Sequence, residues 1–161
     1  MRKLTFELNS LETTDFVARK MAEHLFQGTI ILFWGDMGSG KTTFIKSLCS
    51  GLGVLPEKVT SPTYTLVNIY KCNWYIFHVD LFRLNAPEQL YEMDRADLIT
   101  DQGVTMVEWP QMIKNYLTDE PVLNLHFSNV SENHRSLILE TESREFDILF
   151  KTMEQQILSC G

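Results

Sequence analysis

The feature that most constrains the fold of this chain is a glycine-rich loop at residues 35–42, Gly-Asp-Met-Gly-Ser-Gly-Lys-Thr. The apolar run 29–34 before it indicates a buried strand, and residues 43–52 after it favour a helix. This order of strand, loop and helix is what a phosphate-binding loop of the G-x-x-x-x-G-K-T type requires. The alternative is a glycine-rich turn that only joins the two elements. The lysine and threonine in register behind the last glycine weigh against that alternative.

The residues of this loop have complementary chemical properties. Gly35, Gly38 and Gly40 allow backbone N–H groups to turn toward phosphate oxygens, and the start of the next helix adds unpaired N–H groups. Lys41 is expected to reach the β- and γ-phosphates, and the Thr42 hydroxyl to ligate Mg²⁺. The sequence therefore predicts a site for a nucleoside triphosphate.

Length and composition predict one globular domain over residues 1–161. No apolar stretch reaches membrane-spanning length, and the N-terminus alternates like a strand instead of carrying the apolar segment of a signal peptide. The three cysteines are an odd number without the spacing of metal ligands. This pattern favours reduced thiols and a cytoplasmic location over a disulfide framework.

The charge balance bears on possible partners. The formal net charge is −7, with 21 acidic and 14 basic residues. A protein that binds nucleic acid unaided usually presents a basic face, because contacts with phosphates supply most of the affinity. If the chain serves a nucleic-acid pathway, we expect a partner to hold the nucleic acid.

Hydrophobic periodicity predicts a mixture of strands and helices. The predicted strands are 3–8, 29–34, 64–70, 74–80, 104–108, 122–128 and 136–141, and the predicted helices are 12–26, 43–52 and 144–158, with a short helix starting near 85–88. Asn9 or Ser10 is expected to cap the first helix, with Glu12 as the partner of Asn9 in a capping box. A three-residue connection joins 64–70 to 74–80, so part of the sheet should be antiparallel. The expected fold is α/β, a P-loop NTPase-like mixed β-sheet flanked by helices.

Two acidic residues end apolar strands, where open α/β sheets keep their ligands. Asp80 follows the run 75–79, and Glu108 follows the run 104–107. Each is a single carboxylate, the pattern of the metal-side carboxylate in phosphate-loop enzymes. Either could instead cap the next helix or pair with a nearby cation such as Arg83. With Lys41 they are the candidate catalytic residues, and either carboxylate could position the attacking water.

Three further features have two interpretations each. The hydroxyl-rich segment 60–65 could order around Mg²⁺ and the γ-phosphate as switch loops do, although its spacing alone favours a polar turn around Pro62. His78 precedes Asp80 by two residues on the same side of a strand, and we interpret it as a structural residue of the sheet in preference to a catalytic one. Trp109 is either a core residue or a lid over the nucleotide.

Four motifs occur in order along the chain: Gly-Asp-Met-Gly-Ser-Gly-Lys-Thr-Thr-Phe (35–44), Val-Thr-Ser-Pro-Thr-Tyr (59–64), His-Val-Asp-Leu-Phe-Arg-Leu (78–84) and Val-Glu-Trp-Pro (107–110). In this order and spacing the sequence resembles the bacterial TsaE (YjeE) ATPases, small proteins needed to make threonylcarbamoyladenosine in transfer RNA. The similarity extends over nearly the whole chain, including Ser-Leu-Glu-Thr-Thr at 10–14 and Asn-Ala-Pro-Glu-Gln-Leu at 85–90.

The resemblance implies an ATPase that needs ATP and Mg²⁺ and is weak in isolation. It also implies assembly with TsaD, which carries out the threonylcarbamoyl transfer, and with TsaB, the paralogous partner of TsaD. In that family the nucleotide cycle is thought to reset the transferase between turnovers. Transfer RNA would then be met only indirectly, through the complex, which agrees with the acidic charge.

The resemblance assigns roles to the loop and to the two carboxylates. The residues implied to hold the phosphates are Gly38, Ser39, Gly40, Lys41, Thr42 and Thr43. Thr42 and Glu108 would ligate Mg²⁺, and Asp80 would be the Walker-B-like carboxylate near the γ-phosphate.

Roles are also implied for residues outside the loop. Ser61 to Thr63 would form a switch-like loop, and Leu11 to Thr14 would lie near the base. Trp109 would neighbour the nucleotide, and Arg135 could also touch it. The departures from the family pattern are Val79, Phe82 and Tyr64, none of which removes a group assigned to chemistry.

Other functions share a phosphate loop. A small-molecule kinase commonly has an arginine-rich lid, but Arg95 and Lys114 are the only basic residues between positions 84 and 121. A GTP-dependent switch usually carries an Asn-Lys-x-Asp motif, and this chain has none. A binding module could use ATP only to hold its structure, without hydrolysis. Since no arginine-finger candidate is evident, slow hydrolysis by the isolated chain is expected.

Overall fold

A computed structural model describes residues 1–62 and 65–159 of the chain, with the side chains of residues 158 and 159 left out. The strands are β1 (Arg2–Leu8), β2 (Ile30–Trp34), β3 (Val67–Lys71), β4 (Tyr75–Asp80), β5 (Gly103–Glu108), β6 (Val122–Ser131) and β7 (His134–Thr141). The helices are α1 (Leu11–Ala22), α2 (Lys41–Gly51), α3 (Pro87–Tyr91), α4 (Arg95–Leu98) and α5 (Asp147–Ser159).

The seven strands form one mixed sheet in the order β1-β7-β6-β2-β5-β4-β3. The four central strands, β6, β2, β5 and β4, pair in parallel, while β3, β7 and β1 are added antiparallel to their neighbours. Parallel strands end at the same edge of a sheet, so the segments that follow β2, β4, β5 and β6 meet there. Because β7 runs antiparallel to β6 and β1 antiparallel to β7, the start of β7 and the end of β1 lie at the same edge.

Each face of the sheet is covered by its own apolar cluster. On one face, side chains of α1, α2 and α5 pack on alternate strand residues such as Ile31 and Phe33. On the other face, Leu90 and Leu98 of the short helices pack on a set that includes Ile30. Successive side chains of β2 point to opposite faces of the sheet. Because both faces are buried, every position of this strand is apolar.

The predicted α/β class with a mixed sheet is confirmed, and so is the antiparallel pairing of the hairpin that ends in β4. Several boundaries differ. The first helix ends at Ala22, and its cap is Ser10, whose side chain accepts a hydrogen bond from the Thr13 N–H, so the expected box of Asn9 and Glu12 is wrong. The last helix is preceded by a 3-10 turn at Arg144–Phe146, and α4 was not predicted. Within the described part of the chain, no helix has the length and apolar character needed to cross a bilayer.

Candidate functional site

A cleft of about 780 Å³ opens at the edge of the sheet where the parallel strands end. Its walls come from five places: the opening segment (residues 8–14), the glycine-rich loop with the start of α2, Ser61 between α2 and β3, the ends of β4 and β5, and the β6–β7 hairpin. These segments are far apart in sequence, and the strand order brings them together.

Most of the residues singled out from the sequence line this cleft. They are Leu11, Thr14, Gly38, Ser39, Gly40, Lys41, Thr42, Thr43, Ser61, Asp80, Glu108, Trp109 and Arg135. Gly35 does not line the cleft, although it was predicted to contact the ligand. Thr63 and Tyr64 lie outside the described residues.

Gly35 supports the loop from beneath. Its φ is +143°, and a Cβ built there would lie 2.7 Å from the Phe127 carbonyl oxygen and 2.8 Å from Ser39 Oγ. Both atoms are too close for any side chain at this position. The requirement for glycine at position 35 therefore comes from packing against β6, and its carbonyl oxygen is used by Lys41.

Lys41, the first residue of α2, is buried and points back under the loop. Its Nζ donates to the carbonyl oxygens of Gly35, at 2.5 Å, and Asp36, at 2.8 Å. Burial lowers the pKa of Lys41, and the negative charges of Glu108, Asp36 and Asp80 offset part of that effect. The site thus holds a buried amine at the base of the glycine-rich loop, where it can meet the phosphate of an anionic ligand.

Asp80 and Glu108 are neighbours in the parallel register of β4 and β5. The Phe82 N–H donates to Asp80 Oδ1 at 2.9 Å. Burial raises the pKa of Asp80, and the nearby Glu108 carboxylate raises it further, while the Phe82 hydrogen bond acts in the opposite direction. Two buried acids side by side are costly unless a cation joins them.

Trp109 follows Glu108 directly and has a φ of +57°, which is strained for a residue with a side chain. Its ring lies over the amine of Lys41, with Nζ 4.4 Å from the ring centroid. The ring of Phe82 packs beside it at a centroid distance of 5.0 Å. Trp109 is half-buried and lines the cleft. Of its two interpretations, the structure therefore favours a residue at the site over a core residue.

The oxygen donors at this edge fit Mg²⁺ in one particular way. Asp80, Glu108 and the Thr42 hydroxyl are hard oxygen donors that line one cleft. No group of three or more His, Cys, Asp or Glu residues able to hold a metal by itself is found among the described residues. Mg²⁺ normally keeps several waters and binds through one or two carboxylates together with phosphate oxygens. The donor set therefore fits Mg²⁺ delivered with a phosphorylated ligand.

Ser39 provides an independent indication of an anionic ligand. Its Oγ is buried and has no hydrogen-bond partner among the described residues. A buried hydroxyl without a partner costs free energy, about 1–3 kcal/mol. A phosphate oxygen in the cleft would supply the missing partner.

Several residues of the cleft were missed from the sequence. Glu132 and Asn133 form the tip of the β6–β7 hairpin, and Leu8 and Asn9 belong to the opening segment. Leu8 pairs with Arg135 in the register of β1 and β7. The guanidinium of Arg135 donates from one nitrogen to the carbonyl oxygens of Ser131, Glu132 and His134, so it fixes the hairpin tip. Met37, Phe82 and Phe127 complete the walls of the cleft.

His78 is fully buried, and its Nε2 lies 2.8 Å from Glu108 Oε2. The interpretation of this residue as structural missed that contact. In the register of β4 and β5, Glu108 is paired with Asp80, two residues after His78. The alternation of side chains along each strand therefore could not show that His78 and Glu108 share a face until the pairing of the two strands was known.

Known proteins resemble this chain in sequence and in fold. The model of the family described as "Threonylcarbamoyl adenosine biosynthesis protein TsaE" matches residues 8–137. The chain is 32% identical to the tRNA threonylcarbamoyladenosine biosynthesis protein TsaE of Rickettsia felis, over 88% of this chain and 82% of the relative. It is 39% identical to the protein of the same name from Synechocystis, over 68% of this chain and 72% of the relative.

Among solved structures, the fold is similar to that of YdiB from Bacillus subtilis, with a TM-score of 0.75. The two chains are 22% identical, and the match covers 96% of each. At this identity the likeness concerns the fold alone, and it agrees with the predicted P-loop NTPase-like α/β architecture.

Proposed function

The chain belongs to the TsaE family of tRNA threonylcarbamoyladenosine biosynthesis proteins, and we propose that it serves this pathway as an ATP-binding and ATP-hydrolysing subunit. The observation that carries the proposal is the meeting of Lys41, Asp80 and Glu108 in one cleft beside the glycine-rich loop. A loop for phosphates, a buried cation and two carboxylates are what phosphoryl transfer to water requires.

In this proposal the triphosphate lies along the loop and the start of α2. The backbone N–H groups from Gly38 to Thr43 and the Ser39 hydroxyl bind phosphate oxygens. The N-terminus of α2 adds the positive end of the helix dipole. Lys41 exchanges its carbonyl partners for the β- and γ-phosphates. The opening segment and the hairpin with Arg135 then face the rest of the nucleotide.

Thr42 and Glu108 would hold Mg²⁺, which when bound neutralises charge on the β- and γ-phosphates. Asp80, beside Glu108, accepts a hydrogen bond from the attacking water and orients it toward the γ-phosphorus. Trp109 and Phe82 limit access of other water to the cleft. Ser61, which belongs to the switch-like loop proposed above, lines the cleft, and we assign that loop a role at the γ-phosphate.

Partner proteins enter the proposal as the source of fast turnover. The only arginine among the residues that line the cleft is Arg135, and its guanidinium is already bonded to hairpin carbonyl oxygens. A donor supplied by a partner can raise hydrolysis by about 10³–10⁵. We propose that TsaD and TsaB form that partner complex in the cytoplasm, that hydrolysis resets it between turnovers, and that tRNA is held by the complex.

The test is ATP hydrolysis with Mg²⁺ by the chain alone and with TsaD, TsaB, tRNA and an activated threonylcarbamoyl donor, while threonylcarbamoyl-tRNA is counted per complex. We expect faster hydrolysis in the complex and product beyond the first turnover only with an intact Lys41. The Lys41→Ala variant should lose at least 10²-fold in hydrolysis, in line with removal of a major electrostatic contact. Normal hydrolysis in that variant, or product that does not depend on this protein, would contradict the proposal.

Three outcomes separate this function from its alternatives. Competition of GTP against ATP tests the nucleotide, and labelled γ-phosphate recovered on an added alcohol or nucleoside instead of as free phosphate would indicate a kinase. Tight ATP binding without hydrolysis in the full complex would indicate a binding module.

A further inference from the structure

One buried histidine is not used by the proposed mechanism. His78 lies in β4, and 1% of its side chain is exposed. Its Nε2 is 2.8 Å from Oε2 of Glu108, whose side chain is 5% exposed. As a Mg²⁺ ligand in the proposed function, Glu108 would be a carboxylate that can only accept hydrogen bonds, so the imidazole would donate from Nε2. The contact therefore fixes Oε2 of Glu108 and does not involve Oε1.

The other nitrogen of the ring bears on why the histidine is present. Nδ1 is buried and has no hydrogen-bond partner among the described residues. Burying an unpaired polar atom costs about 1–3 kcal/mol. A histidine that only filled space between β3, β4 and β5 would be less favourable there than an apolar side chain of the same size. Among the residues that the structure describes, its one hydrogen bond is with Glu108, so that contact is the reason to retain it.

The surroundings hold the ring in place. Its cross-strand neighbours are Asn68 on β3 and Met106 on β5, and the Tyr70 ring lies beside it at a centroid distance of 6.5 Å. A ring fixed on both sides presents its N–H in one direction. It can therefore orient Glu108 before any ligand arrives.

We propose that His78 is a positioning residue that holds the Glu108 carboxylate in the orientation needed to ligate Mg²⁺. The inference rests on the proposed function, in which Glu108 is a Mg²⁺ ligand. Groups that hydrogen-bond to a metal ligand commonly change metal affinity by about 10–100-fold when they are removed. The effect should thus appear in the Mg²⁺ requirement and not in the affinity for the nucleotide itself.

The first test measures binding of a non-hydrolysable ATP analogue by calorimetry, in EDTA and over a series of Mg²⁺ concentrations. His78→Phe keeps a ring but removes the donor. We expect the Mg²⁺ concentration that gives half of the Mg²⁺-dependent gain in affinity to rise about 10–100-fold in this variant. Binding in EDTA should stay within twofold of wild type. His78→Gln, whose amide N–H can reach Glu108, should restore most of the effect. His126→Phe, on β6 outside the cleft, should leave the Mg²⁺ requirement unchanged.

The result that would overturn the inference is a folded His78→Phe variant with the Mg²⁺ requirement of wild type, or with equal losses in EDTA and in Mg²⁺. In the Glu108→Gln background, His78→Phe should change the Mg²⁺ requirement less than twofold, and an undiminished change there would also overturn it. A wild-type protein that binds no analogue, or gains nothing from Mg²⁺, would instead overturn the proposed function itself.

A second test needs no variant. In protein carrying ¹⁵N-labelled histidine, the buried Nε2–H of His78 should give a ring signal protected from solvent exchange. Mg²⁺ with the analogue should move this signal, while the analogue in EDTA should not. A signal that ignores Mg²⁺ would mark His78 as structural only.

Discussion

At the scale of single residues, the buried acidic side chain of Asp80 in the cleft lowers the stability of the fold. Asp80 is buried beside Glu108, and burial raises its pKa above the ordinary value of 3.8. A carboxyl with a raised pKa binds its proton more tightly in the folded state than in the unfolded state. The free energy of unfolding therefore falls as the pH rises from 3.8 through the raised pKa, and it stays lower above that range.

It follows that Asp80→Asn should stabilise the protein at pH 7 while impairing hydrolysis. An amide keeps the acceptor for the Phe82 N–H and removes the buried charge. We expect a gain of about 0.5–2 kcal/mol, or a rise in Tm of about 2–4 °C per kcal/mol for a chain of this size. Thermal unfolding at pH 7 and pH 4 measures it, and the gain should shrink at the lower pH.

The matched control for this experiment is Asp119→Asn, because Asp119 is exposed. Its effect should stay within about 0.5 kcal/mol at both pH values. A lower Tm for Asp80→Asn at pH 7 would mean that the Asp80 charge is already compensated in the free protein.

Gly35 gives a second prediction at this scale. A methyl group there would meet the Phe127 carbonyl oxygen at 2.7 Å, and that oxygen belongs to backbone held in the sheet. Gly28 also has a positive φ, +93°, but a methyl group on it would meet no atom within 4 Å. Gly28→Ala thus reports the backbone strain alone, and Gly35→Ala adds overpacking.

Urea denaturation should find Gly35→Ala less stable than Gly28→Ala by about 1–3 kcal/mol, the usual cost of forcing extra atoms into a packed site. ATP affinity should fall with it, since the carbonyl oxygen of Gly35 and Ser39 Oγ both adjoin the new methyl group. Equal losses for the two variants would show that the loop can move away from β6.

At the scale of helices and strands, an element can be predicted from the sequence when its own residues carry the pattern that defines it. The glycine-rich loop, its strand and its helix are encoded in a short stretch, and the run before Asp80 and the run before Glu108 show their strands directly. By contrast, α4 has only four residues (Arg95–Leu98) inside a polar stretch, too short for a periodic pattern to appear. The first helix ends at Ala22 although Leu25 is still buried, because the chain beyond the helix also packs on the core.

The β6–β7 hairpin is the part of the site that sequence patterns could not supply. Its tip reaches the cleft because β6 runs parallel to β2, and Leu8 meets Arg135 because β1 pairs with β7. Neither pairing is written in the local pattern of any strand. Arg135 was expected near the ligand only through the family resemblance, whereas Glu132 and Asn133 were missed.

Arg135 therefore carries the prediction for this element. Its guanidinium donates to carbonyl oxygens of Ser131 and Glu132 at 2.7 and 3.0 Å and so orders the hairpin tip. Arg135→Ala should speed amide hydrogen exchange at 131–134 and weaken ATP binding by about fivefold, the equivalent of about 1 kcal/mol for one net hydrogen bond. Arg2→Ala, which removes an exposed arginine paired with Asp147 away from the cleft, should change neither. Unchanged exchange in Arg135→Ala would contradict the role in ordering the tip.

At the scale of the whole molecule, the negative net charge bears on whether the chain contacts tRNA directly or through other proteins. The chain has 21 acidic and 14 basic residues, a formal net charge of −7. Among the described residues, most of these charged side chains are not buried. Of the basic residues at the cleft, Lys41 is buried and Arg135 is engaged with the hairpin. A net charge of −7 disfavours contact with a phosphate backbone, so contact with tRNA should depend on the partner complex.

We therefore expect that the protein alone binds fluorescent tRNA with a Kd weaker than about 10⁻⁴ M at 150 mM salt, beyond the usual range for non-specific binders. Anisotropy titrations at 50, 150 and 200 mM salt measure this. In the same titrations with TsaD and TsaB added, tRNA should bind, and this protein should be held in the complex by its partners. The control is the partner pair without this protein, which should hold tRNA equally well. A Kd near 10⁻⁶ M for the chain alone, falling steeply with salt, would mean that a basic surface for tRNA exists despite the net charge. In that case the chain would contact tRNA directly, because a steep dependence on salt reports contacts with phosphates.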